Sequence, residues 1–292
     1  MINDTKPQKN ILITGAQGQL GSEFKALAEA FPGFHFIFHG RDEMDITDEK
    51  AVADFFDRQP IRICVNCAAY TAVDKAEEEK EIAEKINSNA TAYLAKACKK
   101  HNSVLFHIST DYVFNGRGTQ PYKPDDTTDP VNFYGITKLA GEQKAKEENP
   151  GTIIIRTSWV YSSFGKNFVK TMLRLMHERE SIGVVADQKG TPTYAADLAA
   201  GIMQIIKTEN FVPGIYHYTN GGETTWYGFA KEIAAQIRSG CIVNPLTTDQ
   251  FPTPAKRPAY SVMAKEKIID TFNISIPQWE DSLKVCLAKI RG

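Results

Sequence analysis

Tyr134 and Lys138 stand four residues apart in the stretch YGITK, inside a longer run, DPVNFYGITKLAGEQKAKEEN, that reads as a helix. On a helix that spacing puts both side chains on one face. A free phenol, with a pKa near ~10, exchanges protons poorly at neutral pH, and a neighbouring ammonium favours the phenolate and lowers that value. Such a pair could protonate a carbonyl oxygen while a hydride reaches its carbon, which is general acid catalysis. The run FHISTDYVF ends an apolar segment on Ser109, Thr110 and Asp111. Thr110 could hydrogen-bond the same oxygen and stabilise the developing alkoxide. Each feature also has a plain reading: Tyr-x-x-x-Lys arises often by chance, and Ser, Thr and Asp commonly cap loops.

A second constellation decides between these readings. ILITGAQGQLG places Gly15, Gly18 and Gly21 as G-x-x-G-x-x-G, after the first strand-like run and at the opening of a helical one. Gly15 permits a tight turn, Gly18 lets backbone approach a pyrophosphate, and Gly21 allows close helix–strand packing. The helix N-terminus then offers free N–H groups to the phosphates. In that context the triplet favours a dinucleotide. The end of the second strand, FHGRDEMDITD, should choose the cofactor. Arg41 suits the 2′-phosphate of NADP(H), whereas Asp42 beside it suits the ribose hydroxyl of NADH. NADPH is the expectation and NADH the alternative. Asp45 and Ile46 are placed for an adenine-edge contact, and Asp48, with Thr47, for helix capping.

Stepping outward, the chain alternates strand and helix: KNILITG, QLGSEFKALAEAF, FHFIFHG, DEKAVADFFDRQP, IRICVNCAA, then EEEKEIAEKINSNATAYLAKACKKH, SVLFHIS, the YGITK helix and GTIIIRT. This order predicts an α/β fold, a Rossmann-like doubly wound parallel sheet in which ligands bind at the carboxyl ends of the strands. After Arg156 the pattern loosens. NFVKTMLRLMHERE, AADLAAGIMQIIKTE, TTWYGFAKEIAAQI and WEDSLKVCLAKI read as helices and GIYHYTN as a strand, while IVNPLTTDQFPTPAKRPAYS reads as irregular. We therefore expect a dinucleotide-binding domain over residues 1–160 and a smaller mixed α/β substrate-binding lobe over 161–292, some of whose segments return to the first domain.

Composition excludes other classes. The 292 residues are 42% hydrophobic and 24% charged with a net charge of −1, so no general affinity for nucleic acid or anionic membrane is expected. The polar opening MINDTKPQKN argues against a secretory leader, no apolar run would span a bilayer, and a cytoplasmic location is expected. Five cysteines, an odd count, argue against a disulfide framework. Cys64 and Cys67 form a C-x-x-C, but on a strand they would point to opposite faces, and both are expected to be small core residues.

The glycine loop, STDYVF, YGITK and RTSWVY together resemble the extended short-chain dehydrogenase/reductase family, and within it the dTDP-4-dehydrorhamnose reductases. NCAAYTAVDKAEEE and DQKGTPTYAADLA resemble further blocks of that group, so the likeness runs along nearly the whole chain. The resemblance implies reduction of the 4-keto group of a dTDP-sugar, with Tyr134 as proton donor, Lys138 as its partner and grip on the nicotinamide ribose, and Thr110 polarising the keto oxygen. It implies Asp111 and Trp159 against the sugar, Gly18, Gln19 and Leu20 along the pyrophosphate, and Asp45 and Ile46 at the adenosine. Ala69, Tyr70 and Thr71 would follow the cofactor, although Tyr70 stands where some members carry histidine. Without the family, Trp159 reads equally well as a core residue. Some members carry magnesium at a dimer contact built from glutamates; Glu23 matches one such position and no other matches, so no metal is expected. The resemblance leaves monomer and homodimer open. Two alternatives share these motifs. A 4,6-dehydratase or epimerase is one, yet a dehydratase would carry Asp-Glu after the threonine, where this chain has Asp111 and Tyr112. The other is a non-catalytic binding partner like the β subunit of methionine adenosyltransferase, whose equivalent of TSWVY lacks the tryptophan.

Overall fold

The computed structural model describes residues 9–291; most of the polar opening segment read against a leader therefore lies outside the described residues. Strand β1 (Lys9–Thr14) leads into helix α1 (Gln19–Leu27), followed by β2 (Phe34–His39), α2 (Glu49–Arg58) and β3 (Ile61–Asn66). Next come α3 (Lys80–Glu84) and α4 (Ala90–Lys100), joined without a break by a π-helical turn, Lys85–Asn89. Strand β4 (Val104–Thr110), α5 (Phe133–Glu148) and β5 (Ile153–Thr157) complete the alternation. The sixth strand, Gly214–His217, comes from the second half of the chain and pairs with β5. All six are parallel, and in space β2, β1, β3, β4 and β5 follow one another, with Gly214–His217 at the far edge. The direction of winding reverses beside β1, which opens a crevice at the carboxyl ends of β1 and β3, the position where open α/β sheets bind ligands.

Side chains alternate across this sheet and build two cores. Ile11, Ile13, Ile63, Val65 and Phe106 pack with α1 and the buried helix Ala195–Thr208, whereas Leu12, Cys64 and Leu105 pack on the other face with α2 and α4. Asp48 caps α2, accepting from the backbone N–H groups of Lys50 and Ala51, as its position suggested. A third core, around Tyr161, Met172, Phe229 and Trp279, holds the segments of the second half of the chain.

Two elements differ from the sequence expectation. IVNPL, read as irregular, forms a strand, Ile242–Leu246, parallel to Ser181–Val185. A two-stranded ribbon leaves each strand one open edge, which accommodates Pro245. The long helix after β3 is interrupted by the π turn at Lys85–Asn89, and π turns recur at functional sites. Cys64 lies in the core on the α2 and α4 face, and Cys67, one residue past the end of β3 and half-buried, packs against the core on the opposite face.

Helix α5 buries an unusual face. Its inward residues are Tyr134, Thr137, Lys138, Gly141, Glu142 and Ala145, at helical spacing but mostly polar. Glu142 accepts from Arg156 of β5 through Nε at 2.9 Å and Nη2 at 2.7 Å, and from the Ser109 hydroxyl at 2.5 Å. Removing one member of such a buried pair costs about 3–5 kcal/mol. At Gly141 the helix lies so close to the π turn that an added Cβ would come within 2.2 Å of the Asn87 carbonyl oxygen. Helix propensity alone predicts that Gly141→Ala stabilises by about 1 kcal/mol. We predict the opposite sign, a loss of about 1–3 kcal/mol from overpacking in urea unfolding; a raised midpoint would contradict the close approach.

Candidate active site

The glycine loop joins β1 to α1. Gly15 adopts φ +63°, and a Cβ there would sit 2.7 Å from the backbone nitrogen of Ala68, just past β3. At Gly21 a Cβ would lie 2.4 Å from the Gly15 carbonyl oxygen, so the helix packs directly on the loop. Gly18 is the N-cap of α1 and supplies no side-chain cap. The first N–H groups of the helix, those of Gln19 and Leu20 included, thus form the kind of terminus that receives a phosphate. The Gln19 side chain is held by Asn167 at 2.9 Å and by the Val160 carbonyl at 3.3 Å, and Leu20 turns its side chain into the core.

Beside this loop opens a cleft of about 440 Å³ whose lining includes Gly15, Gly18, Arg41, Asp45, Ile46 and Ala69, all anticipated as cofactor contacts. It also includes residues the sequence did not assign to the cofactor: Met44, Cys67, Ala68, Ile82, Lys85 and Ile86. The last three belong to α3 and the π turn, where no motif marks them. Tyr70 and Thr71 are outside the lining: the Tyr70 phenol donates to Glu79 at 2.6 Å, and Thr71 is exposed. The Tyr70 backbone is held at both its N–H and its carbonyl by the Asn87 side chain, at 2.8 and 3.1 Å, and Asn87 also donates to Thr137 of α5 at 3.0 Å. Asn87 therefore couples the loop after β3 to α5.

At the end of β4, Thr110 donates to Asp111 at 3.0 Å and accepts from the Tyr112 N–H at 3.2 Å. The Tyr134 phenol lies near the Thr110 hydroxyl. Tyr112 packs edge-on against Tyr134, with ring centroids 5.5 Å apart. Asn132 caps α5 through the Gly135 N–H at 2.8 Å, which fixes where Tyr134 enters. Lys138 is buried and donates to the Ile108 carbonyl at 2.7 Å.

The electrostatics depart from the simple Tyr–Lys argument. Burial pushes the Tyr134 phenol up to about 12, the Thr110 hydroxyl opposing it and the Asp111 charge adding to it. Burial brings Lys138 down to about 8, with Glu142 and then Cys67 opposing. An ammonium engaged with a carbonyl in a dry site does not override the cost of burying a phenolate. Tyr134 is accordingly a protonated phenol at neutral pH rather than an acid tuned downward. Asp111 is pushed up to about 6 by burial, opposed by the hydroxyls of Ser261 and Thr110, and its Oδ2 makes no hydrogen bond of ordinary geometry among the described residues.

Trp159 adopts φ +48°, a strained conformation for a bulky residue, and stacks on Trp226 at 3.6 Å. Trp226 lines a second cavity of about 430 Å³ with Phe168, Arg179, Phe251, Asp74 and Arg257. Arg257 clamps Asp74 through two 2.7 Å contacts and is close enough to Tyr112 to act on its phenol. Glu23 is buried inside the subunit and accepts from Ser162 at 2.6 Å. Among the described residues no group of three or more His, Cys, Asp or Glu side chains is arranged to hold a metal ion. Likewise among them, no helix is long and apolar enough to cross a membrane.

The raised Asp111 pKa fixes a pH dependence. A folded value near 6 against 3.8 unfolded means that its contribution to stability is present below about pH 4 and lost as pH rises through 6, by about 3 kcal/mol in full. Relative to the native chain, Asp111→Asn should gain about 2–3 kcal/mol between pH 4 and pH 7.5 in urea unfolding. A pH-independent difference would contradict the burial of an ionisable Asp111.

Comparison with known proteins places this architecture. A family profile described as the RmlD substrate binding domain matches residues 9–291. The chain is 41% identical over 284 residues to a dTDP-4-dehydrorhamnose reductase of Aggregatibacter actinomycetemcomitans, covering 94% of this chain and 97% of the relative. The solved dTDP-4-dehydrorhamnose reductase of Clostridium acetobutylicum superposes with a TM-score of 0.92 at 40% identity, covering 97% of this chain and all of that one. The reductase of Bacillus anthracis, solved in complex with NADP, does so with a TM-score of 0.92 at 38% identity, covering 97% and 99%.

Proposed function

Since this chain belongs to the RmlD substrate binding domain family, we propose that it is an NADPH-dependent dTDP-4-dehydrorhamnose reductase, converting the 4-keto group of dTDP-4-dehydro-L-rhamnose to the alcohol of dTDP-L-rhamnose. The observation that carries the reading is the meeting of Thr110, Tyr134 and Lys138 at the carboxyl edge of the sheet, next to a cleft built on a glycine loop. The residues fit a dinucleotide: Gly15 and Gly21 let the loop pack tightly against the backbone at Ala68 and against α1, and the N-terminus of α1 carries no side-chain cap. The dinucleotide, when bound, supplies the hydride to the sugar C4. Arg41, Asp45, Ile46 and Ala69 take its adenosine half and the N–H groups after Gly18 its pyrophosphate. Lys138 grips the nicotinamide ribose.

Thr110 donates to the keto oxygen and Tyr134 gives it a proton. The phenol's raised pKa suits this order of events. An alkoxide is more basic than even a buried phenolate, so the transfer runs downhill once negative charge develops, and not before. Asp111 and Trp159 face the sugar. The cavity beside Trp226, with an apolar wall and the guanidinium groups of Arg179 and Arg257, takes the nucleoside diphosphate, so residues after 160 form most of the substrate lobe while Gly214–His217 returns to the sheet.

The test is NADPH oxidation with dTDP-4-dehydro-L-rhamnose. Turnover is expected, and its absence together with tight binding to a methionine adenosyltransferase would replace this reading with that of a regulatory subunit. Tyr134→Phe should lose about 10²–10⁴-fold in kcat while retaining most cofactor affinity. Near-native turnover of that variant would remove Tyr134 from the role of proton donor.

A further inference from the structure

The mouth of the first cleft carries two cations from different elements. Arg41 follows β2, and Lys85 opens the π turn beyond β3; both line the cleft, both are exposed, and neither joins an ion pair among the described residues. Since β2 and β3 are reached on opposite sides of β1, the two side chains enter from opposite flanks.

The acids that would oppose them are otherwise engaged. Asp42 lines the neighbouring outer groove, which Arg41 also borders, and not this cleft. Glu43 accepts from the Gly40 N–H at 2.7 Å, and Asp48 caps α2. Asp45 is the single carboxylate in the lining, and its Oδ1 is taken by the Thr47 N–H and hydroxyl at 2.9 and 2.7 Å. Asp45 lies near both cations, which lower its pKa together with the larger effect of those hydrogen bonds. Two positive side chains and one negative leave an excess positive charge at the rim.

We propose that Lys85 is a cofactor-specificity residue, which with Arg41 clamps a phosphate carried on the adenosine ribose. The inference rests on reading the cleft as a dinucleotide site and adds the residue that makes it prefer the phosphorylated form. Arg41 alone beside Asp42 leaves the choice balanced, whereas a second cation from the π turn tips it, since a phosphate dianion gains charge-assisted bonds from both and a neutral ribose hydroxyl gains far less. The site is exposed, so the preference weakens as ionic strength rises.

The test is binding of 2′,5′-ADP and 5′-AMP, followed by calorimetry on the full chain and on Lys85→Ala and Lys85→Arg. Lys85→Ala should weaken 2′,5′-ADP by about 10-fold, the scale of one charge-assisted hydrogen bond, and change 5′-AMP far less; Lys85→Arg should restore most of the difference. Equal losses for both ligands, or no loss for 2′,5′-ADP, would overturn the assignment. Neither ligand involves the sugar substrate. If the reductase assay fails while the two nucleotides are still discriminated through Lys85, only the proposed reaction is lost. If neither nucleotide binds the native chain, the dinucleotide reading fails and this inference with it.

Discussion

The contact between α5 and the π turn at Gly141 and Asn87 is the constraint on which the site depends. The helix must lie against the Asn87 carbonyl with no room for a methyl group, and the Asn87 side chain must reach both Thr137 and the backbone of Tyr70. One residue therefore sets the height of α5 and the path of the loop that walls the cleft. The π turn makes this possible, because an inserted residue rotates Asn87 inward while Lys85, two positions earlier, is left facing the cleft mouth. On the opposite side the buried Glu142–Arg156 pair, with Ser109, anchors the same helix to β4 and β5. Such a pair is weak evidence for stability in itself. Its directional contacts instead hold α5 in one register, and so hold Tyr134 and Lys138.

Burial governs the chemistry inside this frame. Tyr134, Lys138 and Asp111 all lie where the charged form is disfavoured, and each shifts in the direction that desolvation demands. His107, beneath them and hydrogen-bonded to Asn66 at 3.2 Å, is kept neutral by the same burial and by Lys138. The site thus carries little net charge of its own at rest. Groups fixed in a dry pocket act most strongly on charge that appears during reaction, and need little reorganisation to do so.

The two halves of the molecule are fastened by polar contacts around the site. Gln19 of α1 is tied to Asn167, Glu23 to Ser162, and Asp74 to Arg257, while Asn132 at the start of α5 donates to the Lys256 carbonyl at 2.8 Å. Each joins an element of the glycine loop, the loop after β3 or α5 to a segment from beyond residue 160. The second cavity opens along this seam, with the Asp74 and Arg257 pair in its wall.

Much of this was legible in the sequence. Strands β1–β5, the capping of α2 by Asp48 and the glycine loop follow from alternation, turn chemistry and spacing, which are local. The same locality explains the misses. The strand Ile242–Leu246 exists because Ser181–Val185, about sixty residues earlier, offers it a partner, and its own proline-rich run gives no sign of that. Lys85 and Asn87 sit in a run, EKINSN, whose pattern is that of any amphipathic helix, and in the fold it forms a π turn against α5. For Tyr134 and Lys138 the sequence by itself determined which groups share a helical face and what reaction such groups can perform, because covalent spacing and helix geometry suffice for that. Tertiary structure alone decided in which direction each pKa moves, because desolvation depends on side chains brought in from β4, the π turn and the far end of the chain.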